Sequence, residues 1–113
     1  MKKGQIILLP FPFADFSNFK LRPAVCLTDS SLPYEQVILA AISSILSTEV
    51  TTTELLLNYD EEWFGQTGLK KTSVIKVHKL ITVQKSYIER EIGSVPSVIL
   101  EEVYKILNGL LKV

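Results

Sequence analysis

One histidine, His78, and one cysteine, Cys26, are the whole imidazole and thiol complement of the 113 residues. That inventory excludes several chemistries at once. A Cys/His zinc site needs three or four such ligands, so a catalyst built from this chain is expected to work without a metal or any other cofactor. A single cysteine cannot form an internal disulfide, which fits a reducing cytoplasm. Among apolar strand neighbours, Cys26 reads as a small core residue. His78 lies between Val77 and Lys79 in a basic stretch, where an imidazole could move protons near neutral pH. A lone histidine is nevertheless more commonly structural.

The chain has many cations and hydroxyls, and the cations are unevenly placed. Residues 1–28 carry four basic side chains (Lys2, Lys3, Lys20, Arg22) and one acid, Asp15. Residues 29–69 carry seven acids and no Lys or Arg, whereas residues 70–90 carry six basic side chains and one acid. The net charge of zero argues against strong non-specific nucleic-acid binding. Two basic segments folded side by side would still give a neutral protein one basic face, enough to steer a polyanion. On charge alone, solvated strand faces are the preferred reading.

These side chains need elements to hold them. With 47% hydrophobic and 21% charged residues, the chain is rich enough in apolar side chains to fold as one domain over 1–113. No run approaches the roughly 18–20 apolar residues that span a bilayer. The apolar start ends at Pro10 and Pro12 without a cleavage-type site, so no leader is expected. Residues 5–9 read as a buried strand, and residues 11–21 as a loop carrying Phe11, Phe13 and Phe16. Further strands are expected over 23–28, 36–42, 50–57, 72–77, 80–83 and 87–92. A turn is expected over 29–34, and a helical turn or tight loop over 58–68, tucked in by Trp63 and Phe64. After Pro96 the apolar period lengthens: Val98, Ile99, Val103, Ile106, Leu107 and Leu110 predict an amphipathic helix from Ser97 to Leu110. Many short strands and one terminal helix imply a small, strongly bent sheet or barrel, a mainly β (α+β) fold.

Four segments resemble the MazF/PemK toxins, in the same order along the chain. They are Lys3-Gly4-Gln5-Ile6-Ile7-Leu8-Leu9-Pro10-Phe11, Leu21-Arg22-Pro23-Ala24-Val25, Ile38-Leu39-Ala40-Ala41-Ile42-Ser43-Ser44 and Gly68-Leu69-Lys70-Lys71-Thr72-Ser73-Val74-Ile75. The resemblance implies an SH3-like barrel with a strongly bent antiparallel sheet and a C-terminal α-helix. It also implies homodimerisation, cleavage of single-stranded RNA by attack of the 2′-hydroxyl on the adjacent phosphate, and inhibition by a cognate antitoxin. DNA would be met only through a complex with that antitoxin. Gln5 stands where the family usually has an acid, and His78-Lys79 replace a more acidic or amide-bearing pair.

Carried over by position, Arg22 falls on the family's catalytic arginine and Ser43 on its catalytic hydroxyl, more often threonine. Because the nucleophile belongs to the substrate, the protein has to position the phosphate and stabilise its charge. Arginine offers a planar, permanently charged fork for that task. Without the resemblance, Arg22 reads as a surface arginine before a proline and Ser43 as the end of a strand. Lys20, Ser44, Lys70, Lys71, Lys76, His78 and Lys79 are the candidate RNA contacts. A non-catalytic toxin or RNA- or protein-binding module on the same barrel, such as a CcdB-type gyrase poison, is the competing function, because fold alone does not assign activity.

Overall fold

The computed structural model describes residues 2–10, 20–29 and 32–112; Phe11, Phe13 and Phe16 lie outside the described residues. Six strands build one antiparallel sheet: β1 (Gln5–Pro10), β2 (Leu21–Cys26), β3 (Gln36–Ser43), β4 (Glu54–Leu57), β5 (Ser73–Gln84) and β6 (Arg90–Ser94). Helix α1 (Ser97–Leu110) follows. In space the strands run β4-β5-β3-β2-β1-β6. The fold is mainly β, a curled half-barrel with a C-terminal helix. No helix among the described residues is long and apolar enough to cross a membrane.

The continuous apolar runs of β1, β2 and β3 follow from burial on both faces of the sheet. Ile6 pairs with Val25 and Ile7 with Ala24, and all four are fully buried. Paired residues share a face. One face therefore carries Ile6, Val25, Ala40, Ile42, Ile75 and Val77, which pack with Val103 of α1. The other carries Ile7, Leu9, Ala24, Cys26, Val37, Leu39 and Val83. Cys26 is buried there as expected, and burial pushes its thiol above the ordinary range.

Helix α1 is also tied down by one polar contact. Tyr104 Oη donates to the Leu27 carbonyl at 2.7 Å, just past the end of β2. Desolvation, then the charge of Asp29, raises the Tyr104 pKa. Its contribution is thus fully present below the ordinary tyrosine range and is lost as pH rises through the raised value. Tyr104→Phe is expected to cost about 1 kcal/mol, read as a lower urea midpoint at unchanged m-value.

Two glycines let the β4–β5 connection lie against β6. The short 3-10 helix Glu62–Thr67 after β4 ends at Gly68, whose φ of 73° is left-handed. A Cβ at Gly68 would meet the Ile92 carbonyl, and one at Gly93 would meet the backbone of Gln66 and Thr67. Backbone therefore lies directly on backbone where the end of the β4 connection reaches β6. Gln66 Nε2 adds a donor to Ser94 Oγ at 3.3 Å across the same seam. Trp63 and Phe64 pack into the core beside it, Phe64 being buried.

Several elements differ from the sequence reading. The strand expected over 23–28 runs two residues earlier, Leu21–Cys26, which puts Arg22 on the strand. The strand expected over 50–57 is only Glu54–Leu57. The threonines before it are used in a turn, in which Thr51 N–H donates to Glu54 Oε1 at 3.1 Å and Glu54 N–H to the Thr51 carbonyl at 3.1 Å. The strands expected over 72–77 and 80–83 are one strand, β5, and the apparent gap is a bulge in its pairing with β3. The strand expected over 87–92 begins at Arg90 and reaches Ser94, because Lys85–Tyr87 closes a 3-10 turn.

Candidate functional site

Pro23 opens the site. The β2–β3 ladder runs Cys26↔Leu39, Val25↔Ala40 and Ala24↔Ala41, then stops. The next residue of β2, Pro23, has no N–H with which to carry it on. Beyond Ala24 the two strands part, and a cleft of about 450 Å³ lies between Arg22-Pro23 and residues 41–45. Continued two residues past Ala24↔Ala41, the same register sets Arg22 opposite Ser43 across that gap, both on the face of Leu9 and Ala24.

The opposite wall comes from the β4–β5 connection and from β5. Leu69, Lys70, Lys71, Ser73, Lys76 and Lys79 line it. Thr67, fully buried, fixes the approach: its hydroxyl donates to the Phe64 carbonyl at 2.7 Å and accepts from Leu69 N–H at 3.1 Å. Ser73 Oγ donates to the Lys71 carbonyl at 2.9 Å, pinning the two lysines before β5 begins. On β5, Lys76 pairs with Ala41 on one side and Glu54 on the other, which brings Lys76 Nζ to 3.9 Å from Glu54 Oε2. The Thr51 N–H and hydroxyl, ahead of Lys76, hold the Glu54 carboxyl below its ordinary range.

Five cations therefore line the cleft, Arg22, Lys70, Lys71, Lys76 and Lys79, and no acidic side chain does among the described residues. Charge of one sign in a concave site focuses the field on an anion. Ser43 Oγ accepts from Ile45 N–H at 3.1 Å, which orients the hydroxyl and leaves its proton available to a ligand. The arrangement can seat a phosphodiester, with a guanidinium fork and a hydroxyl approaching it from neighbouring strands.

Of the residues singled out in the sequence, Arg22, Ser43, Ser44, Lys70, Lys71, Lys76 and Lys79 line this one cleft. Lys20 and His78 do not. Lys20 is exposed just before β2, and His78 is exposed with Nδ1 3.0 Å from Thr53 Oγ1. The sequence reading missed Pro23, Ala41, Ile42, Ile45, Leu69 and Ser73 as lining residues. All but Ile45 stand inside the quoted motifs, where they read as marks of likeness. Nothing in the spacing of Ile45 separates it from a core residue.

The comparisons with known proteins are decided by one match. A family model for the PemK-like, MazF-like toxins of type II toxin–antitoxin systems matches residues 2–111. The chain belongs to this family. No curated protein matches by sequence alone. Among solved structures, MazF (Form-I) from Deinococcus radiodurans is 18% identical, with a TM-score of 0.75 over 100% of this chain and 97% of that one. MazE-MazF (Form-II) from the same organism is 16% identical, with a TM-score of 0.72 over 99% and 95%. An endoribonuclease in complex with its cognate antitoxin, from a mycobacterial species, is 12% identical, with a TM-score of 0.73 over 98% and 94%. At these identities the structures establish a shared MazF/PemK fold. Two of them are toxin–antitoxin complexes.

Proposed function

We propose that this MazF/PemK family member is a metal-independent endoribonuclease that cuts single-stranded RNA and is neutralised by an antitoxin seated on the same cleft. The observation that carries the reading is that Arg22 and Ser43 line one cleft whose charged lining residues are all cations. The RNA 2′-hydroxyl attacks the adjacent phosphorus. The phosphorus–5′-oxygen bond breaks, leaving a 2′,3′-cyclic phosphate and a 5′-hydroxyl once the 2′ proton is lost and the leaving oxygen takes one up. Arg22 neutralises the charge growing on the non-bridging oxygens, and the Ser43 hydroxyl donates to the same group. Lys70, Lys71, Lys76 and Lys79 hold flanking phosphates.

An acidic segment of the antitoxin would compete for these cations, and the pair would act in the cytoplasm. The toxin itself is a homodimer in this reading, which light scattering at micromolar concentration checks. The decisive test is incubation of the protein with a long single-stranded transcript in EDTA. Fragments with cyclic phosphate and 5′-hydroxyl ends support the reading, and intact RNA at high protein concentration sinks it. Ser43→Ala is expected to slow cleavage about 10- to 100-fold, the worth of one hydrogen bond to a charged group. Single-turnover rates measure that loss.

A further inference from the structure

His78 stands outside the cleft, yet it is bonded to the part of the chain that shapes it. Between Ala41↔Lys76 and Ala40↔Leu80, β3 advances one residue while β5 advances four, so Val77, His78 and Lys79 leave the β3 ladder. From outside that ladder, Thr53 holds the bulge twice. Val77 N–H donates to the Thr53 carbonyl at 3.0 Å, and His78 Nδ1 lies 3.0 Å from Thr53 Oγ1. Thr53 closes the 44–53 connection, whose other end, Ser44 and Ile45, lines the cleft, as do Lys76 just before the bulge and Lys79 within it. Residues freed from a ladder depend on other contacts for their direction: Val77 is buried in the core, and the exposed His78 has its contact with Thr53.

We propose that His78 is a positioning residue for polyanion binding, acting through Thr53 to hold the β5 bulge so that Lys79 meets a substrate phosphate. This rests on the RNA-binding reading above. It gives the histidine a role without direct contact with the ligand, and it ties the shape of the cationic wall to a contact on its far side.

The test uses an all-2′-deoxy oligonucleotide, which lacks the attacking hydroxyl and cannot be cut, with affinity followed by fluorescence anisotropy across a salt series. His78→Ala and Thr53→Val should each weaken binding about three- to tenfold, the worth of one ordinary hydrogen bond. Each should also lower the slope of log affinity against log salt by about 0.7, the signature of one lost phosphate contact on a single strand. A general loss of stability would not change that slope. His78→Asn, whose amide can either donate to or accept from Thr53 Oγ1 in place of Nδ1, should restore both quantities. An unchanged slope in His78→Ala overturns the proposal. So does normal binding by Thr53→Val alongside weakened binding by His78→Ala, which would make the imidazole itself the contact. If the unsubstituted protein binds the oligonucleotide but cuts no RNA, the nuclease reading fails while the variants still decide the role of His78. If it binds no oligonucleotide, the proposal for His78 falls, and the transcript assay alone decides the nuclease reading.

Discussion

Replacing Arg22 with alanine is expected to lower the rate of RNA cleavage by about 10²–10³-fold, the loss that follows removal of one preorganised charge-stabilising group. The fold should barely register the change. Arg22 is exposed and has no ion pair among the described residues, so truncation should shift stability by no more than about 0.5 kcal/mol. Arg22→Lys separates charge from geometry. It keeps the cation but loses the planar fork that engages two phosphate oxygens, so its rate should fall between those of the other two proteins. Single-turnover cleavage of a short labelled RNA, paired with thermal melts of each variant, reads both effects. Full activity in Arg22→Ala would mean that catalysis resides elsewhere.

A large effect on stability is expected at a glycine far from Arg22 in sequence. Gly93→Ala should destabilise the protein by about 3 kcal/mol, at the upper end of the cost of overpacking, and lower its melting temperature by roughly 10–15 °C. The added methyl would press on the backbone of Gln66 and Thr67, which cannot move aside as a flexible side chain can. Thr67 is fully buried, and its hydroxyl bridges Phe64 and Leu69 on the way to Lys70 and Lys71. Pressure at this seam should therefore reach the cleft as well as the core. Gly65→Ala is the control, because a Cβ there meets nothing within 4 Å. It should melt within a few degrees of the unsubstituted protein. Equal melting of Gly93→Ala and the unsubstituted protein would show that the seam is loose.

The terminal helix was legible to the residue, because an apolar period near 3.6 after a proline has few other uses. Strands β1 and β3 were legible within one residue as short, continuously apolar runs bounded by turn formers. The break at His78-Lys79 was visible too, but its meaning was not. A gap in a β-branched run marks either a turn between two strands or a bulge within one, and only the partner strand distinguishes them. The threonines at 51–53 failed for a related reason. They favour strands by their shape, yet their hydroxyls and N–H groups also close turns, and Glu54 was there to accept.

By itself, then, the sequence determined the chemistry that could be attempted: an arginine, serines and lysines, with too little imidazole and thiol for a Cys/His metal site. It also determined the terminal helix and the apolar centres of the strands, since those depend on local periodicity. Tertiary structure alone decided that Arg22 and Ser43 share one cleft with four of the lysines, and that Lys20 and His78 stand outside it. That choice depends on strand register, on a ladder that ends where a proline has no N–H to give, and on a bulge that carries Lys79. Each involves partners distant along the chain, which no local pattern encodes.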